Sequence, residues 1–280
     1  MIKIIADTTC GLPVQQLESL GIPVIPQIIV FGNQSFRDDN EITTEEFLNK
    51  LVSSASLPKT AAPPPALYTP IYQKILDAGD TPSVITPSGK VSGTFRSATL
   101  AAADFAPGSI HVLDSGTVAG GLGMIILKAH AWAQQGLTVG EIEARVTDMA
   151  SREHLFFLVD TLEYLHKGGR IGGASKLVGS LLQIKPILSI KDGEIQAFDK
   201  VRTFKQALSK IEDWICDFGK DNPEPCVSIS HCNNLEEAER LAASLKQRLG
   251  VAEIPILIVP PAIVVHAGPG VLEVSIFSKA

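Results

Sequence analysis

Long apolar runs, aromatic residues and charged residues are all scarce in this sequence. Aromatic side chains make up 6% and charged ones 19% of the 280 residues, although 45% of the residues are hydrophobic. The most apolar stretch, residues 254–265, is interrupted by prolines and is shorter than the roughly 18 apolar residues that a membrane-spanning helix requires. The chain begins without the apolar segment of a signal peptide. We therefore expect a cytoplasmic globular protein with an aliphatic interior.

Patterns typical of metal sites and nucleic-acid binding are also missing. No C-x-x-C pair occurs among the four cysteines, and the six histidines show no metal-ligand spacing. The formal net charge of −6 argues against a nucleic acid as the main partner, because neutralising phosphates requires a basic surface. We expect reduced thiols, no bound metal and no nucleic-acid partner.

Short β-branched runs alternate with helical patterns in the first half of the chain. The predicted strands cover residues 2–6, 23–31, 83–86 and 110–114, and the predicted helices cover residues 12–20, 67–76, 92–105 and 118–135. Thr43 and Glu46 have the spacing of a capping box, and Thr138 caps a further helix. Residues 59–65 must be extended because prolines follow. The alternation predicts a mostly parallel sheet covered by helices.

The second half of the chain has a different pattern. A hairpin is predicted over residues 186–190 and 194–198, with Asp192 and Gly193 in its turn. Helices are predicted at residues 204–218 and 235–249, and strands at residues 226–230, 254–258 and 271–277. We predict a two-domain α/β protein, with a mostly parallel domain in residues 1–150 and a mixed α/β domain in residues 151–280.

A loop between a predicted strand and a predicted helix offers an anion site. Ser92 is a good N-cap residue, and the hydroxyl groups of Ser92 and Thr94, with backbone amides around Gly93, can hold a carboxylate or a phosphate. An ordinary capped loop is the alternative. The segment contains neither a Walker loop nor the Gly-x-Ser-x-Gly of a nucleophile elbow.

Two further segments carry candidate ligand-binding side chains. His266 lies between an apolar run and a Gly-Pro-Gly turn, where its imidazole can face a pocket or be a satisfied core histidine. Arg170 is flanked by glycine pairs that let the backbone approach a ligand closely. Its guanidinium suits a carboxylate or phosphate, although a solvated turn after a helix explains it equally well.

These segments together resemble the DegV-like bacterial fatty-acid-binding proteins over nearly the whole chain. Each piece is short, but the ordered set is specific. The matching pieces, in chain order, are Asp7-Thr8-Thr9, Ser88-Gly89, Ser92-Gly93-Thr94, Asp114-Ser115, Leu162-Glu163-Tyr164-Leu165, Gly168-Gly169-Arg170-Ile171, Lys185-Pro186-Ile187-Leu188, Arg202 and His266-Ala267-Gly268-Pro269-Gly270.

The resemblance implies a non-catalytic carrier that buries one long-chain fatty acid, with the carboxylate at the domain junction. It implies that Thr60, Ser92 and His266 bind this carboxylate, and that no cofactor is needed. It also implies a partner fatty-acid kinase, which uses ATP to form an acyl phosphate for phospholipid metabolism, and a transient contact with a membrane surface. Arg170 and Arg202, with Gly93 and Thr94, are assigned to the head group or to the kinase.

One motif departs from the family pattern, and two other functions stay open. Ala61 and Ala62 follow Thr60 where family members often have serine and glutamine, so a hydroxyl and an amide are lost. A serine acyl hydrolase would use Ser92 with His266 as its base, oriented by an aspartate such as Asp7 or Asp114. A sensor of another small carboxylate would use the same polar residues.

Overall fold

The computed structural model describes residues 1–54, 56–178 and 184–279, in which the chain forms thirteen strands and ten α-helices. The strands are β1 Ile2–Asp7, β2 Val24–Ile25, β3 Ile28–Phe31, β4 Gln34–Arg37, β5 Lys59–Ala61, β6 Thr81–Thr86, β7 His111–Asp114, β8 Glu153–Leu158, β9 Lys185–Lys191, β10 Glu194–Val201, β11 Cys226–His231, β12 Ile256–Ile258 and β13 Leu272–Phe277. The helices are α1 Val14–Ser19, α2 Thr44–Ser53, α3 Thr69–Asp77, α4 Thr94–Ala102, α5 Ala119–Gln134, α6 Val139–Ser151, α7 Glu163–Lys167, α8 Phe204–Gly219, α9 Leu235–Leu249 and α10 Pro261–Ala267.

Four strands of the first half form a parallel sheet in the order β2-β1-β6-β7. Their short apolar runs are buried, as expected for strands covered on both faces. Helix α5 is apolar around most of its circumference and packs against β1 and α6 of this part and against β11 and β13 of the second half. The predicted mostly parallel sheet covered by helices is confirmed.

Six strands of the second half form a mixed sheet in the order β10-β9-β8-β13-β11-β12. Only β11 and β12 pair in parallel. The predicted hairpin is confirmed as β9 and β10, and positive φ angles at Asp192 and Gly193 give its turn the type I′ geometry. Helices α8 and α9 pack against β13 and β11 respectively. The predicted mixed α/β part of the chain is confirmed, whereas the division at residue 150 stays a prediction.

A third, antiparallel sheet in the order β4-β3-β5 was not expected. The prediction of one strand over residues 23–31 is wrong, since β2 belongs to the parallel sheet and β3 to the antiparallel one. Pro26 separates them, because it cannot donate to a sheet and forces the chain out of a continuous ladder. The extended segment 59–65 supplies β5, whose Thr60 lies opposite Ile29.

Strand β8 and helix α10 have no counterpart among the predicted elements, whereas α7 is the helix expected before the Arg170 turn. β8 lies between β9 and β13, near the middle of the mixed sheet. α10 begins with Pro261 at its first position, where a proline is compatible with a helix because its missing N–H would have no partner within the helix. Among the described residues, no helix has the length and apolar character needed to cross a membrane.

Candidate carboxylate site in an apolar cavity

A cavity of about 120 Å³ lies where the loops after β1, β6 and β7 face β5, α10 and the mixed sheet. Its wall is mostly aliphatic and aromatic, with contributions from Val91, Val118, Leu155, Phe157, Leu165, Ile190, Ile195, Val259, Ile263 and Val271. The polar side chains that line it are Thr9, Gln27, Thr60, Ser92, Arg170, His266 and Glu273. The three carboxylate ligands predicted from sequence therefore all line one apolar cavity.

Thr60 and His266 are brought together although 206 positions separate them. Thr60 Oγ1 lies 2.8 Å from His266 Nε2, and the tautomer of the ring decides which atom donates. Burial, and secondarily the positive charge of Arg170, lowers the pKa of His266 to about 4. The imidazole is therefore neutral at physiological pH, so it can offer a hydrogen bond but no positive charge to a ligand.

Ser92 lies in the cavity wall but does not cap α4. The N-cap position belongs to Gly93, so the prediction that Ser92 is the N-cap is wrong. The Ser92 hydroxyl instead contacts Thr94 Oγ1 at 2.8 Å and accepts from the Thr94 amide at 3.3 Å. Thr94 is fully buried behind Ser92, so it reaches the cavity only through Ser92.

A buried polar network behind Ser92 was not found from the sequence. Gln27 Nε2 donates to Thr94 Oγ1 at 2.9 Å and to Asp7 Oδ2 at 2.8 Å. Asp38 Oδ1 accepts from the Thr8 hydroxyl and from the backbone N–H of Gln27, each at 2.8 Å. Burial raises the pKa of Asp7 to about 6 and that of Asp38 to about 7. One buried and one half-buried carboxyl therefore lie behind a hydroxyl that faces the cavity.

The two predicted arginines lie in different places. Arg170 is half-buried in the cavity wall, where its Nε donates to the Val91 carbonyl at 3.2 Å and its Nη1 to the Gly168 carbonyl at 2.8 Å. It is the only cation among the described residues that line the cavity. Arg202 is exposed at the start of α8, beside Gln206 and away from the cavity. The structure thus brings Arg170, but not Arg202, to the predicted head-group residues.

Glu273 is a second group that the sequence did not reveal. Its carboxyl lies in the cavity wall, is almost fully buried, and has no hydrogen-bond partner of good geometry. Burial raises its pKa to about 8, against the weaker lowering by Ser230 and the Gly120 amide at the start of α5. A glutamate within an apolar strand is usually an exposed residue, so the sequence does not predict that Glu273 is buried.

The site does not pair a nucleophile with a base. Ser92 contacts Thr94 and His266 contacts Thr60, with no hydrogen bond between Ser92 and His266. Of the two family positions that depart from the pattern, Ala62 lines the cavity and Ala61 is exposed. No cluster of three metal-binding side chains occurs within the described ranges. Ser92 and His266 thus line the same cavity with different hydrogen-bond partners.

Residues 1–279 match the protein family described as uncharacterised proteins of the DegV family. A DegV domain-containing protein of Streptomyces coelicolor is 33% identical over 280 residues, which cover 99% of each chain. One from Listeria monocytogenes is 34% identical over 272 residues, covering 96% of each.

Solved structures of related proteins have the same fold. A DegV family protein from Thermus thermophilus, described by its fatty-acid binding, is 30% identical with a TM-score of 0.90 and 99% coverage of both chains. DegV from Bacillus subtilis, described as a fatty acid binding protein, is 28% identical with a TM-score of 0.91 and 99% coverage of both.

Proposed function

This chain belongs to the DegV family, and on that premise we propose that it binds one long-chain fatty acid with its carboxylate at Thr60, Ser92 and His266. The observation that carries the proposal is a set of hydroxyl and imidazole groups that converge on a cavity with mostly apolar walls. Two structural neighbours are fatty-acid-binding proteins, which supports the same ligand class.

The physical chemistry of the cavity suits a fatty acid. Each buried CH₂ contributes about 0.8 kcal/mol, so a long acyl chain contributes on the order of 10 kcal/mol before the costs of binding. A buried carboxylate must be hydrogen-bonded, since leaving it unpaired costs more than the chain contributes. Hydroxyl and imidazole groups bind the head group, and the Arg170 guanidinium lies in the wall of the same cavity.

We further propose that the bound carboxylate is presented to a fatty-acid kinase, which converts it to an acyl phosphate in the cytoplasm. The chain is then a carrier for phospholipid metabolism, and a brief contact with a membrane surface supplies or returns the lipid. Arg170 stands at the head-group end of the proposed site, where an approaching kinase meets it. Exposed Arg202 lies on a separate surface, and we assign it to kinase engagement alone.

Lipid binding and kinase-dependent phosphorylation can be measured on the same variants. We expect Ser92→Ala to bind oleate roughly 10- to 150-fold more weakly, because one hydrogen bond to a charged group contributes about 1.5–3 kcal/mol. Arg170→Ala is expected to lose most acyl-phosphate formation with a cognate kinase and ATP, while its oleate affinity stays within about tenfold of the native value.

Two exposed positions supply matched controls. Thr99→Ala removes a hydroxyl on the outer face of α4, and Lys167→Ala removes a cation on α7, so both should leave the two measurements unchanged. An Arg170→Ala protein that no longer holds lipid would assign Arg170 to the head group rather than to the kinase. If the native protein binds neither oleate nor palmitate, the proposed function is wrong.

A further inference from the structure

The hydrogen bonds behind Ser92 connect its hydroxyl to the buried carboxylate of Asp7, which restricts the direction in which they run. Asp7 Oδ1 accepts from the Thr9 amide at 3.0 Å, and Oδ2 faces Gln27 Nε2 at 2.8 Å. An ionised carboxylate can only accept, so Gln27 must turn its amide nitrogen toward Asp7. The carboxylate of Asp7 therefore decides which end of the Gln27 amide points into the network.

Gln27 Nε2 in turn orients the hydroxyl groups of Thr94 and Ser92. Gln27 Nε2 also donates to Thr94 Oγ1 at 2.9 Å. The Thr94 proton then has two acceptors, the Asp7 carboxylate, whose pKa Thr94 lowers, and Ser92 Oγ at 2.8 Å. Asp7 already accepts from the Thr9 amide, the Thr9 hydroxyl and Gln27 Nε2, so we assign the Thr94 proton to Ser92. Ser92 Oγ already accepts from the Thr94 amide at 3.3 Å. With both lone pairs of Ser92 engaged, its own proton is left for the cavity that Ser92 lines.

We propose that Asp7 is a positioning residue that acts through Gln27 and Thr94 to turn the Ser92 proton into the cavity. Ser92 then presents a donor, which selects an ionised carboxylate over a neutral lipid head group. This inference rests on the proposed fatty-acid function. The reverse arrangement, in which Thr94 gives its proton to Asp7 and Ser92 donates to Thr94, would instead present a Ser92 lone pair to the ligand.

The substitution Asp7→Asn should reverse the network with almost no change of shape. The Thr9 amide is a fixed donor, so the oxygen of the new amide must remain against it. The nitrogen of the new side-chain amide then faces Gln27 Nε2, so that two donors would point at each other. Gln27 turns over to present its oxygen, Thr94 donates to Gln27, and Ser92 donates to Thr94. Ser92 now offers the cavity a lone pair.

The test compares oleate, whose head group only accepts, with oleyl alcohol, which can donate. After removal of copurified lipid, the native protein should prefer oleate. We expect Asp7→Asn to bind oleate about tenfold more weakly, which corresponds to about 1.4 kcal/mol, while its affinity for the alcohol stays equal or rises. Ser92→Ala should weaken oleate binding in the native background and have no further effect beside Asp7→Asn.

A second pair of variants covers the case in which Asp7→Asn does not fold. Thr94→Val cuts the link between Gln27 and Ser92 and should lower oleate affinity severalfold, whereas Thr94→Ser should restore it. Equal costs of Ser92→Ala in both backgrounds, or unchanged oleate binding by Thr94→Val, would overturn the inference. If the native protein binds neither lipid, the proposed function fails instead, so the two failures are distinguishable.

Discussion

Two glycines let helices α7 and α10 approach each other at the site. A Cβ atom at Gly168, just after α7, would collide with His266 Nδ1 on α10. A Cβ atom at Gly268, just after α10, would collide with the Tyr164 ring on α7, and the φ of +81° there is itself unfavourable for other residues. The glycine after each helix thus makes room for a side chain of the other helix. One of these side chains, His266, is proposed to bind the carboxylate.

We expect Gly168→Ala to weaken oleate binding by about tenfold or more, because the new methyl group must displace the imidazole that contacts Thr60. Titration of lipid-free protein with oleate measures the effect. Gly140→Ala is the matched control, since open space surrounds that position on α6. A Gly168→Ala protein with native affinity would show that the imidazole position does not matter for binding.

The site residues differ in how well the sequence predicts that they belong to the site. Thr60, Ser92 and His266 stand in short motifs whose order along the chain resembles a known family, and all three line the cavity. Gln27 carries no such signal, since a single glutamine after Pro26 looks like any exposed loop residue. Its role arises only when folding places it between Asp7 and Thr94.

Secondary-structure elements were predictable where local pattern and tertiary pairing agree. Both caps, at Thr43 and Thr138, form full capping boxes, and α8 and α9 match the apolar periodicity of their sequences closely. The hairpin of β9 and β10 follows from its Asp-Gly turn. These elements are specified by residues close together in the chain.

The small antiparallel sheet illustrates the opposite case. β3, β4 and β5 contain only three or four residues each, and β5 joins β3 from about thirty positions away. Runs this short have no distinctive periodicity, and what stabilises them is pairing and burial against distant parts of the chain. Thr60 owes its position to this sheet, so the family resemblance could suggest that it shares a site with His266, whereas the local sequence could not.

At the scale of the whole molecule, four carboxyls are buried or half-buried, with Asp7 and Asp38 behind Ser92 and with Glu153 and Glu273 beside α5. Burial raises the pKa of Asp7 to about 6, of Asp38 and Glu153 to about 7, and of Glu273 to about 8. Such a group favours the folded state most at pH values below its unfolded pKa of about 4, and this contribution is lost as the pH rises through the folded pKa. Burial lowers the pKa of His266. The stability that the neutral imidazole contributes to the folded protein is therefore lost as the pH falls below about 6.5.

The contribution of one carboxyl can be isolated with Glu273→Gln, which cannot ionise. Because the native Glu273 loses its proton as the pH rises through about 8, we expect the stability of Glu273→Gln relative to the native protein to increase between pH 6 and pH 9. Denaturant unfolding of lipid-free protein at both pH values measures this difference. Glu18→Gln, on the exposed face of α1, should show no such pH dependence. A flat difference for Glu273→Gln would mean that its carboxyl is solvated.

We propose above all that the cavity holds a long-chain fatty acid, and the contents of the purified protein test this most directly. Organic extraction of protein made in a bacterial host, followed by mass spectrometry, should find close to one equivalent of long-chain fatty acid per chain. Lipid-free protein should then take up added oleate or palmitate to the same level. An extract without acyl chains, together with failure to load either acid, would contradict the proposal.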